Sequence, residues 1–295
     1  MRMTKYKGML LAIIAAIFWG ISGTCGQYLF EQRGINVEWL ITIRLLISGA
    51  ALLAYTKYGQ KRDLFAIWKN KKDRIQLLIF SICGMLAVQY TYFAAIKHSN
   101  AATATVLQYS GPIIIAIYLA LKKRQIPKQK ELLAIGLAVT GTFLLVTHGN
   151  IYTLAISPLK FLLGILSAVS LAIYTLQPTH ILTKYEPSIV IGWGMFCGGM
   201  FFSFIKAPWE FQGTWDIYTA INTTAIILFG TLVAFTLYLY SVKIIGGQKA
   251  SLLASAEPLA ATILAVYWLK TPFGLSDYIG TICIVSTVFL LTKIR

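Results

Sequence analysis

One acidic residue, Glu257, lies near the middle of a long apolar run at 248–269, where charge is rare. A helix rises about 1.5 Å per residue, so Glu257 would lie close to the centre of a hydrocarbon core about 30 Å thick. A carboxylate at that depth costs at least about 2.5–3.5 kcal/mol unless it faces a cavity or a partner. Glu257 is therefore predicted to line a substrate or ion pathway. The alternative is a structural residue, protonated or paired, that locks two helices together.

The residues around Glu257 reduce side-chain bulk and weaken the helix. Pro258 follows it and has no N–H to donate to the carbonyl of Ala254, so the helix is expected to be weakened there. Four small residues share the helical face of Glu257: Ala250, Ala254, Ala261 and Ala265. A charge, a carbonyl without its helical partner and a lack of side-chain bulk therefore coincide around Glu257.

The composition places these residues in a membrane protein. The chain has 295 residues, of which 57% are hydrophobic and 12% charged, and its mean hydropathy is +0.71. A soluble protein of this size could not bury so much apolar surface. Four dispersed cysteines form no CxxC or Cys/His cluster, so neither a disulfide framework nor a metal site is indicated. The sequence has no Walker A motif and no catalytic constellation at membrane depth, so we expect no enzyme and no cofactor.

Ten apolar runs, each bounded by charge, Gly or Pro, predict an all-α polytopic membrane protein with ten transmembrane helices. Both termini then lie on the same side. The runs are 8–30, 37–56, 75–96, 101–121, 132–147, 159–182, 188–205, 220–242, 248–269 and 278–292.

The basic residues predict the orientation of these helices. Of the 26 Lys and Arg residues, 20 fall on the side of the termini and 5 on the other, and Arg44 lies inside the second run. Cytoplasmic loops carry the excess of Lys and Arg, so both termini are predicted to be cytoplasmic. The net charge of +16 therefore reflects the concentration of Lys and Arg in loops on one side of the membrane, and we expect no nucleic-acid partner.

The two halves of the chain repeat with an offset of 146 residues, which matches Lys97 with Lys243, Gly84 with Gly230, and Gly111-Pro112 with Glu257-Pro258. Five helices per half is an odd number, so the two copies must be inverted in the membrane. We predict repeats at 1–150 and 156–295. Inverted repeats place a binding site near the bilayer midplane, between interrupted helices, which favours an alternating-access transporter.

Several short motifs, in order along the helices, resemble the drug/metabolite transporter superfamily in its EamA-like branch of bacterial permeases. They are Phe18-Trp19-Gly20, Arg44, Asn100-Ala101-Ala102-Thr103-Ala104, Pro112, Gly136, Ala256-Glu257-Pro258 and Gly280. The resemblance covers the whole chain. It implies a ten-helix carrier of the bacterial cytoplasmic membrane with a central cavity lined by helices one, three, four, six, eight and nine. Substrates differ widely in that family, so the resemblance does not name one.

Polar and aromatic side chains at membrane depth predict an aromatic pocket with a few polar anchors. For each lone aromatic residue, lipid contact or helix packing is the alternative. Arg44 is expected to snorkel or to pair structurally rather than to bind substrate. The predicted substrate-binding residues are Glu257, Gln108, Gln89, Trp19, Tyr92, Tyr109, Tyr174 and Tyr238, and the predicted structural or hinge residues are Pro112, Pro258, Gly111 and Arg44.

These observations predict a secondary active transporter that exports an amino acid or a similar amphipathic metabolite. Uptake or exchange of an organic cation is the alternative, and a passive channel is a weaker one, since a single Glu and two Gln make a poor selectivity ring. Protons are a candidate coupling ion, and the expected assembly is a monomer or a weak homodimer in contact with membrane lipid.

Overall fold

The computed structural model describes residues 2–98, 101–124, 128–153, 158–260 and 274–293, and all regular structure within these ranges is helical. Ten apolar helices follow one another there, and short turns at Ala66–Lys69 and Ile151–Thr153 lie between them. The ten are α1 (Arg2–Gln32), α2 (Val37–Gly59), α3 (Lys71–His98), α4 (Ala101–Gln108 and Gly111–Lys123), α5 (Gln129–Thr147), α6 (Pro158–Lys184), α7 (Pro187–Phe202), α8 (Ile217–Ile245), α9 (from Gly247–Leu253 to residue 260) and α10 (Leu275–Lys293).

The lengths and compositions of these helices confirm a polytopic membrane protein. Seven described helices are long and apolar enough to cross a bilayer, and Pro187–Phe202 and Leu275–Thr287 are shorter apolar helices. Nine of the predicted runs each coincide with one helix, with ends that differ by a few residues. The run at 248–269 matches α9 up to residue 260, and its remainder lies outside the described residues, as do Ala261 and Ala265.

The main helix interfaces join the first five helices to the second five. The largest are α2 with α7, α5 with α10, α1 with α8, and α3 with α6. When every helix in these pairs is replaced by its counterpart in the other half (α1 by α6, α2 by α7 and so on), the same four pairs result. This is expected for two related halves. Two of these interfaces also carry an ion pair at their ends. Asp73 of α3 lies 3.0 Å from Lys184 of α6, and Arg33, just after α1, lies 2.9 Å from Asp216, just before α8.

Widened π-helical turns occur at matching places in α3 and α8. They span Phe80–Leu86 and Ile226–Val233, and their first residues are separated by the same offset that relates the two halves of the sequence. Gly84 and Gly230 lie inside them at tight contacts. A Cβ on Gly230 would lie 2.3 Å from the Cβ of Ser22, and one on Gly84 would lie 3.2 Å from the Cα of Tyr174.

The fourth and ninth helices are both interrupted near their prolines. α4 opens into a turn at Tyr109 and Ser110, and α9 opens at Ala254 and Ser255. The predicted weakening of α9 is thus confirmed. The carbonyl of Ala254 accepts the N–H of Glu257 at 2.8 Å and also the hydroxyl of Tyr109, so the break in α9 is bonded to α4.

Candidate functional site

A small cavity lies between the two halves, and Glu257 is in its wall. Its free volume is about 50 Å³, which admits water but not a metabolite. Six of the lining helices are those that the resemblance implies, and α2 joins them through Arg44. The lining residues are Trp19, Ser22, Arg44, Val88, Gln89, Tyr92, Phe93, Gln108, Tyr109, Pro112, Leu171, Phe235, Ser251, Ala254 and Glu257.

The carboxylate of Glu257 is held by two tyrosines. Tyr92 donates to Oε1 at 3.2 Å and Tyr109 donates to Oε2 at 3.4 Å, while only 4% of the residue is exposed. The Tyr92 hydroxyl also lies 3.0 Å from Thr105 Oγ1, and Tyr109 shares its single hydroxyl proton with the carbonyl of Ala254. Within the described ranges no basic side chain forms an ion pair with Glu257. The carboxylate therefore keeps acceptor capacity for a cationic group or a proton.

Arg44 supplies the opposite charge in the same cavity. Its Nε donates to Thr231 Oγ1 at 2.7 Å, its Nη2 donates to the carbonyl of Gly230 at 3.4 Å, and its guanidinium lies 4.6 Å from the ring centroid of Phe93. The residue is 1% exposed and bonded to α8, so it does not extend to the membrane surface as snorkelling would require, and its structural role stays a prediction. The wide turn of α8 presents both the Thr231 hydroxyl and the Gly230 carbonyl to Arg44.

Four buried polar atoms in the cavity wall have no hydrogen-bond partner among the described residues. They are Trp19 Nε1, Ser22 Oγ, Arg44 Nη1 and Gln89 Oε1. Buried polar groups in native proteins are almost always satisfied by protein, water or ligand, and leaving one unsatisfied costs about 1–3 kcal/mol. The cavity thus offers two obligate donors, one acceptor and one hydroxyl to whatever occupies it.

The two glutamines predicted to face the pathway both reach the cavity. Gln108 donates from Nε2 to Ser167 Oγ at 2.6 Å and is 6% exposed. Gln89 donates from Nε2 to the sulfur of Met85 at 3.2 Å, a weak acceptor. Gln89 therefore retains more unused hydrogen-bonding capacity than Gln108 does.

Tyr174 and Tyr238 were predicted as cavity walls, and here the structure differs. Both are fully buried behind the lining, with their rings stacked at 5.8 Å. Tyr174 donates to the carbonyl of Phe235 at 3.2 Å, and the Tyr238 hydroxyl lies 3.0 Å from Thr175 Oγ1. Because Trp19 packs on the Tyr238 ring at 4.9 Å, the two tyrosines support the wall rather than forming it.

Several lining residues were not predicted from the sequence, among them Ser22, which is itself polar, and Phe93, which contacts Arg44. Ser22 lies three residues after Trp19 on the same helical face, and this spacing could have identified it. Phe93 follows Tyr92 directly, and only its contact with Arg44 reveals its place. No group of three His, Cys, Asp or Glu residues suited to a metal is present in the part of the chain that the structure describes.

Comparison with known proteins assigns this architecture to a family. Residues 6–147 and 159–293 each match the EamA-like transporter family, one match in each half. The chain belongs to that family. Its relatives include an uncharacterized inner membrane transporter, YicL of Salmonella typhimurium, 42% identical over 97% of this chain and 95% of that protein. Another relative, the uncharacterized transporter YwfM of Bacillus subtilis, is 26% identical over 92% of this chain and 88% of that protein.

A solved crystal structure supports the same fold at low sequence identity. It superposes with a TM-score of 0.77 at 15% identity and covers 96% of both chains. The EamA-family assignment and the transporter relatives show that this chain is a multi-pass membrane transporter.

Proposed function

We propose that this EamA-family protein is a secondary active transporter that exports a small zwitterionic metabolite, such as an amino acid, through the central cavity. The observation that carries the proposal is the presence of a carboxylate and a guanidinium in one small cavity without a mutual ion pair. Glu257 is bonded to neutral hydroxyls, and Arg44 has one unsatisfied nitrogen.

A zwitterion complements both charges at once. Its ammonium group can bind Glu257, and its carboxylate can accept from Arg44 Nη1 and from the indole N–H of Trp19. Burying a charge is costly unless it is paired, so a ligand that neutralises both residues gains more than one that neutralises either alone. The apolar remainder of the ligand would pack against Phe93, Phe235 and the ring of Trp19.

Alternating access fits the size of the cavity. Small-molecule sites usually enclose about 300–1,000 Å³, whereas this cavity offers about 50 Å³. Substrate binding therefore requires the helices to move apart, and the breaks at Tyr109 and Ala254 are the proposed hinges, with Gly111-Pro112 and Pro258 beside them. Glu257 is the proposed proton site if export is coupled to proton uptake.

Transport of an organic cation is the second candidate function. A carboxylate beside aromatic rings suits a cation, because ring faces attract positive charge. The buried guanidinium of Arg44 in the same cavity would repel a ligand that carries only positive charge, and it therefore favours the zwitterion.

A thermal-shift screen of the purified protein against the common amino acids tests the proposal, because a ligand of the native state raises the unfolding temperature. For a leucine binder, the matched analogues are isoamylamine, which lacks the carboxylate, and 4-methylpentanoate, which lacks the ammonium. We expect stabilisation by the zwitterion and little by either analogue. Stabilisation by isoamylamine alone would support the cation carrier. Large, non-saturating flux in proteoliposomes would instead indicate a channel.

A further inference from the structure

A second and larger cavity opens at the end of the helices next to the turn between α8 and α9. Its free volume is about 330 Å³, within the range of small-molecule sites, and α4, α5, α6 and α9 also contribute to it. We call this cavity the vestibule. Its polar lining residues are Lys122, Glu131, Thr179, Gln248 and Lys249.

Gln248 lines the vestibule and carries an unsatisfied amide. Both its Nε2 and its Oε1 are shielded from solvent, and neither has a hydrogen-bond partner among the residues that the structure describes. A buried primary amide needs partners for its N–H groups and its carbonyl. A polar group in the vestibule would satisfy this amide once the side chain rotates toward it.

The charges around the vestibule favour an anionic group. Lys122 and Lys249 carry two positive charges, against the single carboxylate of Glu131. Glu131 Oε2 is already engaged, because it accepts the backbone N–H of Lys128 at 3.2 Å in the first turn of α5. Lys122 lies beside the ring of Tyr118, 5.5 Å from its centroid. A cleft with excess charge of one sign concentrates ligands of the other sign.

The vestibule and the central cavity border successive turns of the same helix, α9. Gln248 lines the vestibule, while Ser251, Ala254 and Glu257, spaced by three residues each, line the central cavity. Residues three apart lie near each other on a helix, so Gln248 and Ser251 are neighbours on α9. α4 and α6 also line both cavities. A ligand leaving the vestibule along α9 would therefore reach Ser251 next.

We infer that the vestibule is a second binding site, at which Gln248 and Lys122 capture the carboxylate of a solute before it reaches the central cavity. The role in transport rests on the proposed function, whereas the preference for anions does not. By the charge bias the vestibule faces the cytoplasm, which is the side from which an exporter takes its substrate.

Charged thiol reagents test the preference without any knowledge of the substrate. In a variant with Cys25, Cys83, Cys197 and Cys283 replaced by Ser, Gln248→Cys is labelled in the purified protein. One reagent is the anionic sulfonatoethyl methanethiosulfonate and the other is its cationic trimethylammonium analogue. The labelling rate of each reagent at the cysteine in position 248 is divided by the rate at which the same reagent reacts with free 2-mercaptoethanol. We expect the normalised ratio to favour the anion about tenfold or more. A ratio of one or below, or no labelling by either reagent, overturns the site.

Charge removal provides the matched control. Lys122→Gln should lower the normalised ratio several-fold, while Lys71→Gln, an exposed lysine outside the vestibule, should leave it unchanged. An equal effect of both variants would assign the preference to the general charge of that face and overturn the inference. Benzoate should slow the labelling by competing as a soluble carboxylate. Slowing by an anionic lipid but not by benzoate would assign the vestibule to a headgroup instead.

Transport then separates this inference from the proposed function. Gln248→Leu should raise the half-saturation concentration several-fold when amino acid is supplied from the vestibule side and should leave it unchanged from the opposite side. If the labelling shows no anion preference while the zwitterion still stabilises the protein, only the vestibule site is wrong. If labelling succeeds and no zwitterion binds, the vestibule is retained and the proposed substrate class fails.

Discussion

Glu257 lies in the wall of the central cavity, where its carboxylate accepts hydrogen bonds from two neutral tyrosine hydroxyls. These bonds stabilise the negative charge without neutralising it, so Glu257 remains able to bind a cationic group or a proton. Arg44 was harder to interpret, because the sequence does not reveal that a widened turn of another helix provides its acceptors. A long-range pair of this kind follows only from the packed structure.

Glu257→Gln should weaken zwitterion binding about tenfold to a hundredfold, since a hydrogen bond to a charged group contributes about 1.5–3 kcal/mol. Glutamine has a similar volume and can still accept from Tyr92, but it lacks the negative charge. The binding constant can be measured by isothermal titration of the purified variant with the stabilising amino acid. Glu210→Gln, which alters a carboxylate that is half exposed outside the cavity, should leave the constant unchanged.

Transport by Glu257→Gln also separates the possible roles of the carboxylate. If Glu257 exchanges a proton for substrate, the variant should lose proton-driven uphill transport in proteoliposomes but retain downhill exchange. If Glu257 only binds the ammonium group, both modes should weaken together. Wild-type affinity, rate and pH dependence in the variant would contradict both roles and leave Glu257 as a packing residue.

At the scale of helices, the widened turns of α3 and α8 connect packing to the site. Thr231 and Gly230, which bind Arg44, belong to the turn in α8, and Ser48 of α2 also donates to the carbonyl of Ile227 in that turn, at 3.1 Å. π-Helical turns often occur at functional sites, because they release backbone groups from the regular helical pattern. The widened turn in α8 therefore holds α2 in place and positions the guanidinium of Arg44.

Gly230→Ala should lower the thermal unfolding midpoint by about 2–10 °C, because overpacking of this kind costs about 1–3 kcal/mol. The added Cβ would lie 2.3 Å from both the Cβ and the Oγ of Ser22 on α1. Gly136→Ala is the matched control, since nothing lies within 4 Å of its added Cβ. Combining Gly230→Ala with Ser22→Gly should restore the midpoint; failure to do so would contradict the contact with Ser22 as the cause.

The sequence predicted the helices well and their irregularities unevenly. Apolar runs and bounding charges located the helices because hydrophobic length determines what can cross a bilayer. Pro258 indicated the break in α9 because proline removes a specific hydrogen bond. The π turns have no comparable local signal, although the matched Gly84 and Gly230 lie inside them. Tyr174 and Tyr238 were misplaced because aromatic residues in a membrane helix pack against protein as readily as they line a cavity.

For the whole molecule, the interfaces between the first and second five helices determine how the halves depend on each other. Since α2–α7, α5–α10, α1–α8 and α3–α6 are the largest contacts, neither half encloses the central cavity alone. Arg44 of the first half binds a turn of the second, and Tyr109 of the first binds Ala254 of the second. We propose that residues 1–150 and 156–295 are the two repeats and that they act as one unit.

The final prediction concerns the inverted orientation of the repeats. Lys97 and Lys243 occupy equivalent positions near the ends of α3 and α8, each five residues after a tyrosine, and both are exposed. Because five helices separate equivalent positions, Lys97 should face the outside and Lys243 the cytoplasm. In the cysteine-free variant, Lys97→Cys should react with an impermeant maleimide in intact cells, whereas Lys243→Cys should react only after permeabilisation. A green fluorescent protein at the C-terminus should fluoresce, as cytoplasmic fusions do. Labelling of both cysteines from the same side would contradict the inversion, and labelling with the two sides exchanged would reverse the charge-based orientation while retaining the inverted repeat.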